Sequence, residues 1–241
     1  MRVLVTRTEL AADRTADALR SAGYDPVVLP LTELKDTGAK MPDQTYDGYL
    51  FTSGNALEVL SRRGWICPDT GSVAYCVGDQ TAAEAKKRGF VDIRSAGGNA
   101  QDLVELIKKD RDSETRSLLY PTAVDRSLDF NKALSEFGVC VEVTEIYENR
   151  PVFPSTETVF GALQETGAGS VFFYSRKSAT HACEILSETS GVHGLGDLSA
   201  ICISAKTAEP VLMYPWQAVY VAEEPTEQSM VSKLNQIFSA N

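Results

Sequence analysis

Apolar residues in this chain fall into short continuous runs, separated by longer stretches in which they recur every three to four positions. The short runs predict strands at Val3–Val5, Val27–Leu31, Tyr49–Thr52, Val73–Val77, Val91–Ile93, Leu118–Tyr120, Val139–Ile146, Val171–Tyr174, Ala200–Ile203 and Ala218–Val221. The stretches between them predict helices beginning near Leu10, Asn55, Thr81, Gln101, Ser127, Ser178, Thr207 and Glu227, with a weaker signal near Val159. Strands that are apolar throughout and alternate with helices imply parallel sheets covered on both faces, an α/β fold.

The order of elements then recurs. Val3-Leu4-Val5, Ala18-Leu19 and Gly23 match Leu118-Leu119-Tyr120, Ala133-Leu134 and Gly138 without a gap. Phe51-Thr52-Ser53 matches Phe173-Tyr174-Ser175, and Val77-Gly78-Asp79-Gln80-Thr81-Ala82 matches Ile203-Ser204-Ala205-Lys206-Thr207-Ala208. Gln101-Asp102-Leu103-Val104 matches Gln228-Ser229-Met230-Val231. Single matches of this kind arise from generic strand–helix periodicity, but several in one order indicate two copies of one fold. Polar, turn-rich stretches at Lys35–Gln44 and Tyr147–Ser155, the latter with Pro151 and Pro154, read as connections. They outline an inserted lobe, although a cut into one copy before residue 116 and one after fits the repeats as well.

Composition changes this picture little. The chain has 241 residues, 43% hydrophobic and 23% charged, as an ordinary globular protein does. No apolar run approaches the roughly 18–20 residues that span a bilayer. Met1 through Arg7 is charged too early for a signal peptide and reads as a first strand, so a cytoplasmic location is expected. The cysteines Cys67, Cys76, Cys140, Cys183 and Cys202 are scattered and form no Cys-x-x-Cys pair. A buried structural role is expected for them, and with only His181 and His193 no metal site is expected. A formal charge of −10 argues against nucleic acid and anionic membrane as partners. It leaves room for an anionic small molecule, because charges beyond a Debye length of ~8 Å are largely screened. Nothing in the sequence demands more than a monomer.

The motifs Val5-Thr6-Arg7, Phe51-Thr52-Ser53-Gly54-Asn55-Ala56, Val77-Gly78-Asp79-Gln80-Thr81-Ala82, Ile146-Tyr147 and Ile203-Ser204-Ala205-Lys206-Thr207-Ala208 stand in the order and spacing of one family. Across nearly its whole length the chain resembles the uroporphyrinogen-III synthases. Ser204 departs from the family pattern, where glycine is usual, and so does Lys206. The resemblance implies two similar lobes, each a parallel sheet flanked by helices, joined by a two-stranded linker. Residues 1–34 with 155–241 would form the first, discontinuous lobe and 45–146 the second, with 35–44 and 147–154 as linkers. It implies an enzyme that cyclises the linear tetrapyrrole hydroxymethylbilane with inversion of one ring, without a cofactor or metal, in tetrapyrrole and haem biosynthesis.

Such a substrate carries acetate and propionate arms. Anions of this kind are held by backbone N–H groups at helix N-termini, where parallel strands feed into helices. Thr6, Arg7, Ser53, Asn55, Thr81, Asn99, Ser175, Ser178 and Thr207 fall at such junctions and are candidate substrate contacts, though Ser, Thr and Asn there are also ordinary helix caps. Basic residues gather at the same places: Arg7, Arg14, Arg126, Arg176, Lys177 and Lys206. Of these, Arg7, Arg126, Arg176 and Lys206 are candidate carboxylate partners, arginine gripping through two parallel hydrogen bonds. Tyr147 matches the family's tyrosine and is the candidate general acid, since a phenol with a pKa of about 10 is protonated at neutral pH.

Dinucleotide and phosphate-loop glycine motifs are absent, as is a Gly-x-Ser-x-Gly elbow, so nucleotide binding and α/β-hydrolase chemistry gain no support. The main alternative is a non-catalytic two-lobed binding protein or sensor for a small anionic ligand. A receiver-like signalling module would need an acidic pocket at the first strand end, where Thr6-Arg7 stands instead.

Overall fold

A computed structural model describes residues 1–65, 71–110, 116–126, 128–167 and 169–238. Cys67 and Ser127, the latter an expected helix start, lie outside the described residues, as does the side chain of His193. The elements begin with β1 (Arg2–Val5), α1 (Glu9–Ser21), β2 (Asp25–Val28), β3 (Thr32–Asp36), β4 (Gly48–Phe51) and α2 (Gly54–Arg62). They continue through β5 (Val73–Cys76), α3 (Asp79–Lys87), β6 (Ile93–Ser95), α4 (Ala100–Lys109), β7 (Ser117–Ala123), α5 (Phe130–Ser135) and β8 (Cys140–Pro151). The last are α6 (Thr156–Thr166), β9 (Ser170–Phe173), α7 (Arg176–Gly194), β10 (Ser199–Cys202), α8 (Ala205–Val211), β11 (Ala218–Val221) and α9 (Glu227–Phe238).

The expected α/β alternation is present, with informative differences. β3 lies where a connection begins in the sequence reading, and β8 runs on through Tyr147 to Pro151. β3 occupies the sheet edge beside β8, and its sequence Thr-Glu-Leu-Lys-Asp is mostly exposed, the charged composition by which edge strands avoid further pairing. The weak signal near Val159 is a full helix, α6, capped by Ser155 Oγ on the Thr158 amide at 3.2 Å.

The chain divides into two compact units, Met1–Glu33 with Arg150–Asn241, and Leu34–Asn149. One sheet has the order β11-β10-β9-β1-β2 and the other β3-β8-β7-β4-β5-β6. Reading β2 as the counterpart of β8, β1 of β7, β9 of β4, β10 of β5 and β11 of β6, the two orders are the same apart from β3. Register agrees. Val3 pairs with Ser170 where Leu118 pairs with Gly48, and Ser170 pairs with Ser199 where Gly48 pairs with Val73. These pairings reproduce the sequence repeat residue for residue. The matched glycines Gly23 and Gly138 also take the same left-handed turn, at φ 85° and 77°, just past α1 and α5.

Each sheet is buried on both faces, which is why its central strands are apolar throughout. Tyr49 and Phe51 pack with Leu57, Leu60 and Phe90 on one side of β4, while Leu50 packs with Leu103, Val104 and Phe130 on the other. In the first unit Val3, Val5 and Phe172 face α1 and α9, and Leu4, Val171 and Phe173 face α6, α7 and α8. Cys76, Cys183 and Cys202 are buried as expected, whereas Cys140, the first residue of β8, is exposed. Among the described residues no helix is long and apolar enough to cross a membrane, and no three His, Cys, Asp or Glu converge to hold a metal ion.

Candidate active site

In the second unit the chain runs from β4 outward to β5 and β6, then returns to lay β7 on the other side of β4. The loops after β4 and β7 therefore diverge, and in open α/β sheets ligands bind at this switch point. β7 pairs with β4 only at Leu118 and Leu119, while its pairing with β8 continues to Ala123. Pro121 has no N–H to give, so it sits where β7 has already parted from β4.

A cavity of about 330 Å³ opens there. Thr52, Ser53 and Asn55 line it from the β4–α2 junction, Tyr120 and Thr122 from β7, Tyr147 and Asn149 from β8, and Asn99, Asp125 and Arg126 complete the polar wall. Tyr147 is only 3% exposed. Burial pushes its phenol up to about 12, the neighbouring Tyr120 adds to the rise, and a hydrogen bond with Ser53 opposes it. At neutral pH Tyr147 is therefore a neutral donor. Arg126 is ion-paired with Glu145, so a ligand carboxylate reaching it competes with an internal one.

The helix ends here are not alike. Ser53 Oγ caps α2 by accepting from the Asn55 amide at 3.2 Å, and the first turn of α2 holds no acidic residue. Asn99 caps α4 on the Gln101 and Asp102 amides at 2.8 and 3.3 Å, and the Asp102 carboxylate accepts from the Asn99 amide at 2.8 Å. That box satisfies α4 and neutralises its positive end. α2 is the end with dipole left to offer an anion.

The first unit has its own switch point, between β1 and β9. There the Arg7 guanidinium carbon lies 3.8 Å from the Tyr174 ring centroid. Arg7 Nη1 donates to Thr15 Oγ1 at 3.1 Å and meets Glu227 Oε2 at 3.5 Å. Burial, reinforced by the Glu227 charge, pushes Tyr174 up to about 12 against hydrogen bonds with Thr15 and Arg7. Ser175 Oγ receives the Ser178 amide at 3.2 Å and lies 2.6 Å from Ser178 Oγ, capping α7. Ser204 does the same for α8 through the Thr207 amide at 3.3 Å, in an extended conformation (φ −157°) that does not require glycine.

Of the residues singled out in the sequence, Ser53, Asn55, Asn99, Arg126 and Tyr147 share the cavity of the second unit. Thr81 does not line it; it is buried in α3. Thr6, Arg7, Ser175, Arg176, Ser178, Lys206 and Thr207 follow strand ends of the first unit, where Thr6 and Thr207 are buried and Lys206 is exposed. Arg176 pairs with Glu209 at 3.2 Å with both side chains more than half exposed, a pair worth little. The sequence pattern does not single out Thr52, Tyr120, Thr122, Asp125 and Asn149 in the cavity, or Tyr174 and Glu227 beside Arg7. Thr52 and Tyr120 stood inside quoted motifs, but an aromatic residue in an apolar run looks like core.

The family model described as uroporphyrinogen-III synthase HemD matches residues 13–232. The fold is similar to that of uroporphyrinogen-III synthetase from Helicobacter pylori, with a TM-score of 0.64 at 19% identity over 98% of this chain and 100% of that one. It is also similar to a mutant uroporphyrinogen III synthase from the extremely thermophilic bacterium Thermus thermophilus, with a TM-score of 0.53 at 16% identity over 100% of both chains. No match to a curated protein was found.

Proposed function

The chain belongs to the uroporphyrinogen-III synthase family, and from that membership we infer that it cyclises hydroxymethylbilane to uroporphyrinogen III with inversion of ring D and loss of water, as a hydro-lyase. The match of the family model over residues 13–232 carries this reading. A polar cavity at a strand switch point, with a buried neutral phenol in its wall, supports it.

The reaction asks little nucleophilic chemistry of the protein. The terminal hydroxyl leaves as water, pushed by the pyrrole nitrogen, to give an azafulvene. Attack at a substituted carbon of the last pyrrole gives a spiro intermediate, which fragments and recloses with that ring turned over. Tyr147 is the proton donor to the departing hydroxyl. The free amide end of α2, with Ser53 and Asn55, takes a substrate carboxylate, and Arg126 takes another by exchange with Glu145. In the first unit Arg7, seated over the Tyr174 ring, presents a cation to the substrate, with Thr6, Ser175, Arg176, Ser178, Lys206 and Thr207 along the same strand ends. Asn99 is a further substrate contact in the same cavity, and Thr81, in the first turn of α3, is the remaining candidate. The protein's main task is conformational, to hold the fold of the bilane that leads through the spiro route and disfavour direct closure. Cytoplasmic residence and a monomeric state accompany this reading.

Purified protein is incubated with freshly generated hydroxymethylbilane and the product isomers are separated. The type III isomer is expected. Only the symmetric type I isomer, as formed without protein, overturns the reading and leaves the two-lobed sensor, which the comparisons do not support.

A further inference from the structure

Beside Tyr147 the cavity holds a second phenol. Tyr120 is 2% exposed, and its hydroxyl lies 3.0 Å from Thr52 Oγ1. Thr52 is half-buried and lines the cavity directly. Tyr120 and Tyr147 approach from opposite sides of the sheet: Tyr120 packs with Phe130 and Leu134, and Tyr147 with Phe51 and Ile146. They meet at the cavity, where Tyr147 bonds to Ser53 and Tyr120 to the adjacent Thr52. Two consecutive hydroxyl residues thus each carry one buried phenol behind them.

A phenol is a better hydrogen-bond donor than an alkanol. Either hydroxyl can donate in this pair; with Tyr120 as the donor to Thr52 Oγ1, the Thr52 proton is free to turn toward the cavity. The fold does not demand this arrangement. By strand register Val5 stands in the first unit where Tyr120 stands in the second, and Tyr174 stands where Thr52 does. The same strand ends are thus built there without the hydroxyl pair.

We propose that Thr52 is a second proton donor to the departing hydroxyl and that Tyr120 is the positioning residue that orients and polarises it. The proposal rests on the cyclase reading above. As the C–O bond breaks, its electron pair stays on oxygen, and the Thr52 proton, replaced from Tyr120, completes the water. The proton returns along the same route when the new carbon–carbon bond forms and the attacked ring loses hydrogen at closure. The pair is left as it began. The departing oxygen takes one proton, so Tyr147 and Thr52 act on it together, one transferring its proton and the other donating a hydrogen bond, and loss of either slows turnover without ending it.

The test measures kcat, KM, product isomer and thermal midpoint for Tyr120→Phe, Thr52→Val, Thr52→Ser, Tyr120→Phe/Thr52→Val and Tyr147→Phe. Tyr120→Phe and Thr52→Val are each expected to lower kcat about ten-fold with KM unchanged, and the double variant to equal either single, because the two act as one route. Thr52→Ser restores most of the loss. Combining Thr52→Val with Tyr147→Phe lowers kcat by at least the product of the single effects. Should Tyr120→Phe unfold, Thr52→Val, nearly isosteric at a half-buried position, carries the test with Thr52→Ser as its control. Unchanged kcat in Thr52→Val, failure of Thr52→Ser to rescue, or additive effects of Tyr120→Phe and Thr52→Val overturn the proposal. Wild-type protein that forms only the type I isomer defeats the underlying reading instead, a result the variants cannot imitate.

Discussion

The Arg7 guanidinium carbon lies over the Tyr174 ring, 3.8 Å from its centroid, with Thr15 and Glu227 both meeting Nη1. Stacking and forked donation are properties of a guanidinium that an ammonium does not share. Arg7→Lys is therefore expected to raise KM on the order of five-fold, the loss of one cation–π contact, with a smaller change in kcat. Tyr174→Leu should do the same by removing the support. Steady-state kinetics on both variants decide it, and an unchanged KM in Arg7→Lys removes Arg7 from the substrate contacts.

Tyr147→Phe is expected to lower kcat by roughly 10- to 100-fold, at the low end for a general acid, and to leave KM near its wild-type value. The type III isomer remains the product, because selection of the spiro route does not depend on this proton. A kcat equal to wild type would make Tyr147 a packing residue only.

Stability at high pH has a definite sign. Burial raises Tyr46, Tyr147 and Tyr174 from 10.0 to about 12, and Cys76, Cys183 and Cys202 from 9.0 to about 12. The unfolded chain gives up these protons first, so the folded state binds more protons and stability falls as pH rises from about 9 toward 12. At the acid end the signs reverse. Asp36 is held low by Arg63, and Asp47 by the amides of Arg116 and Ser117, so their contributions are present above the usual carboxylate range and lost below it. Urea midpoints measured across pH should form a plateau that drops at both ends. A midpoint that rises above about pH 9 contradicts the burial of these groups.

Thiol accessibility follows the same burial. A thiol reagent on native protein, read by peptide mass spectrometry, should label Cys140 and spare Cys76, Cys183 and Cys202 until denaturant is added. Native labelling of Cys76 at the rate of Cys140 would place β5 at the surface.

Gly48→Ala should destabilise by about 1–3 kcal/mol, since overpacking forces backbone or side chains to shift. A Cβ at that position would lie 2.7 Å from Val73 Cγ1, 2.8 Å from the Val73 carbonyl oxygen and 2.9 Å from Leu118 Cδ2. Thermal unfolding measures the loss. A wild-type midpoint would mean that β4, β5 and β7 can spread without cost.

Much of this fold was legible because central parallel strands leave no choice of residue. The runs at Leu50, Ala74, Leu119, Val171 and Ala200 must be apolar on both faces, and the sequence shows them so. What escaped notice lay where that constraint lapses. β3, at an edge, is free to be Thr-Glu-Leu-Lys-Asp. β6 begins at Ile93 rather than Val91, whose side chain is 79% exposed and so carries no pattern of burial. The strand-end Ser, Thr and Asn residues were legible as a class. Their division was not, because it depends on neighbours: Asp102 satisfies the end of α4, whereas α2 has no such residue. Tyr120 shows the limit most plainly, as a strand aromatic whose ring is core and whose hydroxyl faces Thr52.

The pairing of β1 with β9 has a consequence for synthesis. Arg2–Val5 are made well before Ser170–Phe173, one of their two neighbours in the sheet. The unit formed by Leu34–Asn149 is contiguous and can close while the rest is still being made. The opening strand must wait, paired on one side only, until the nascent chain delivers its partner.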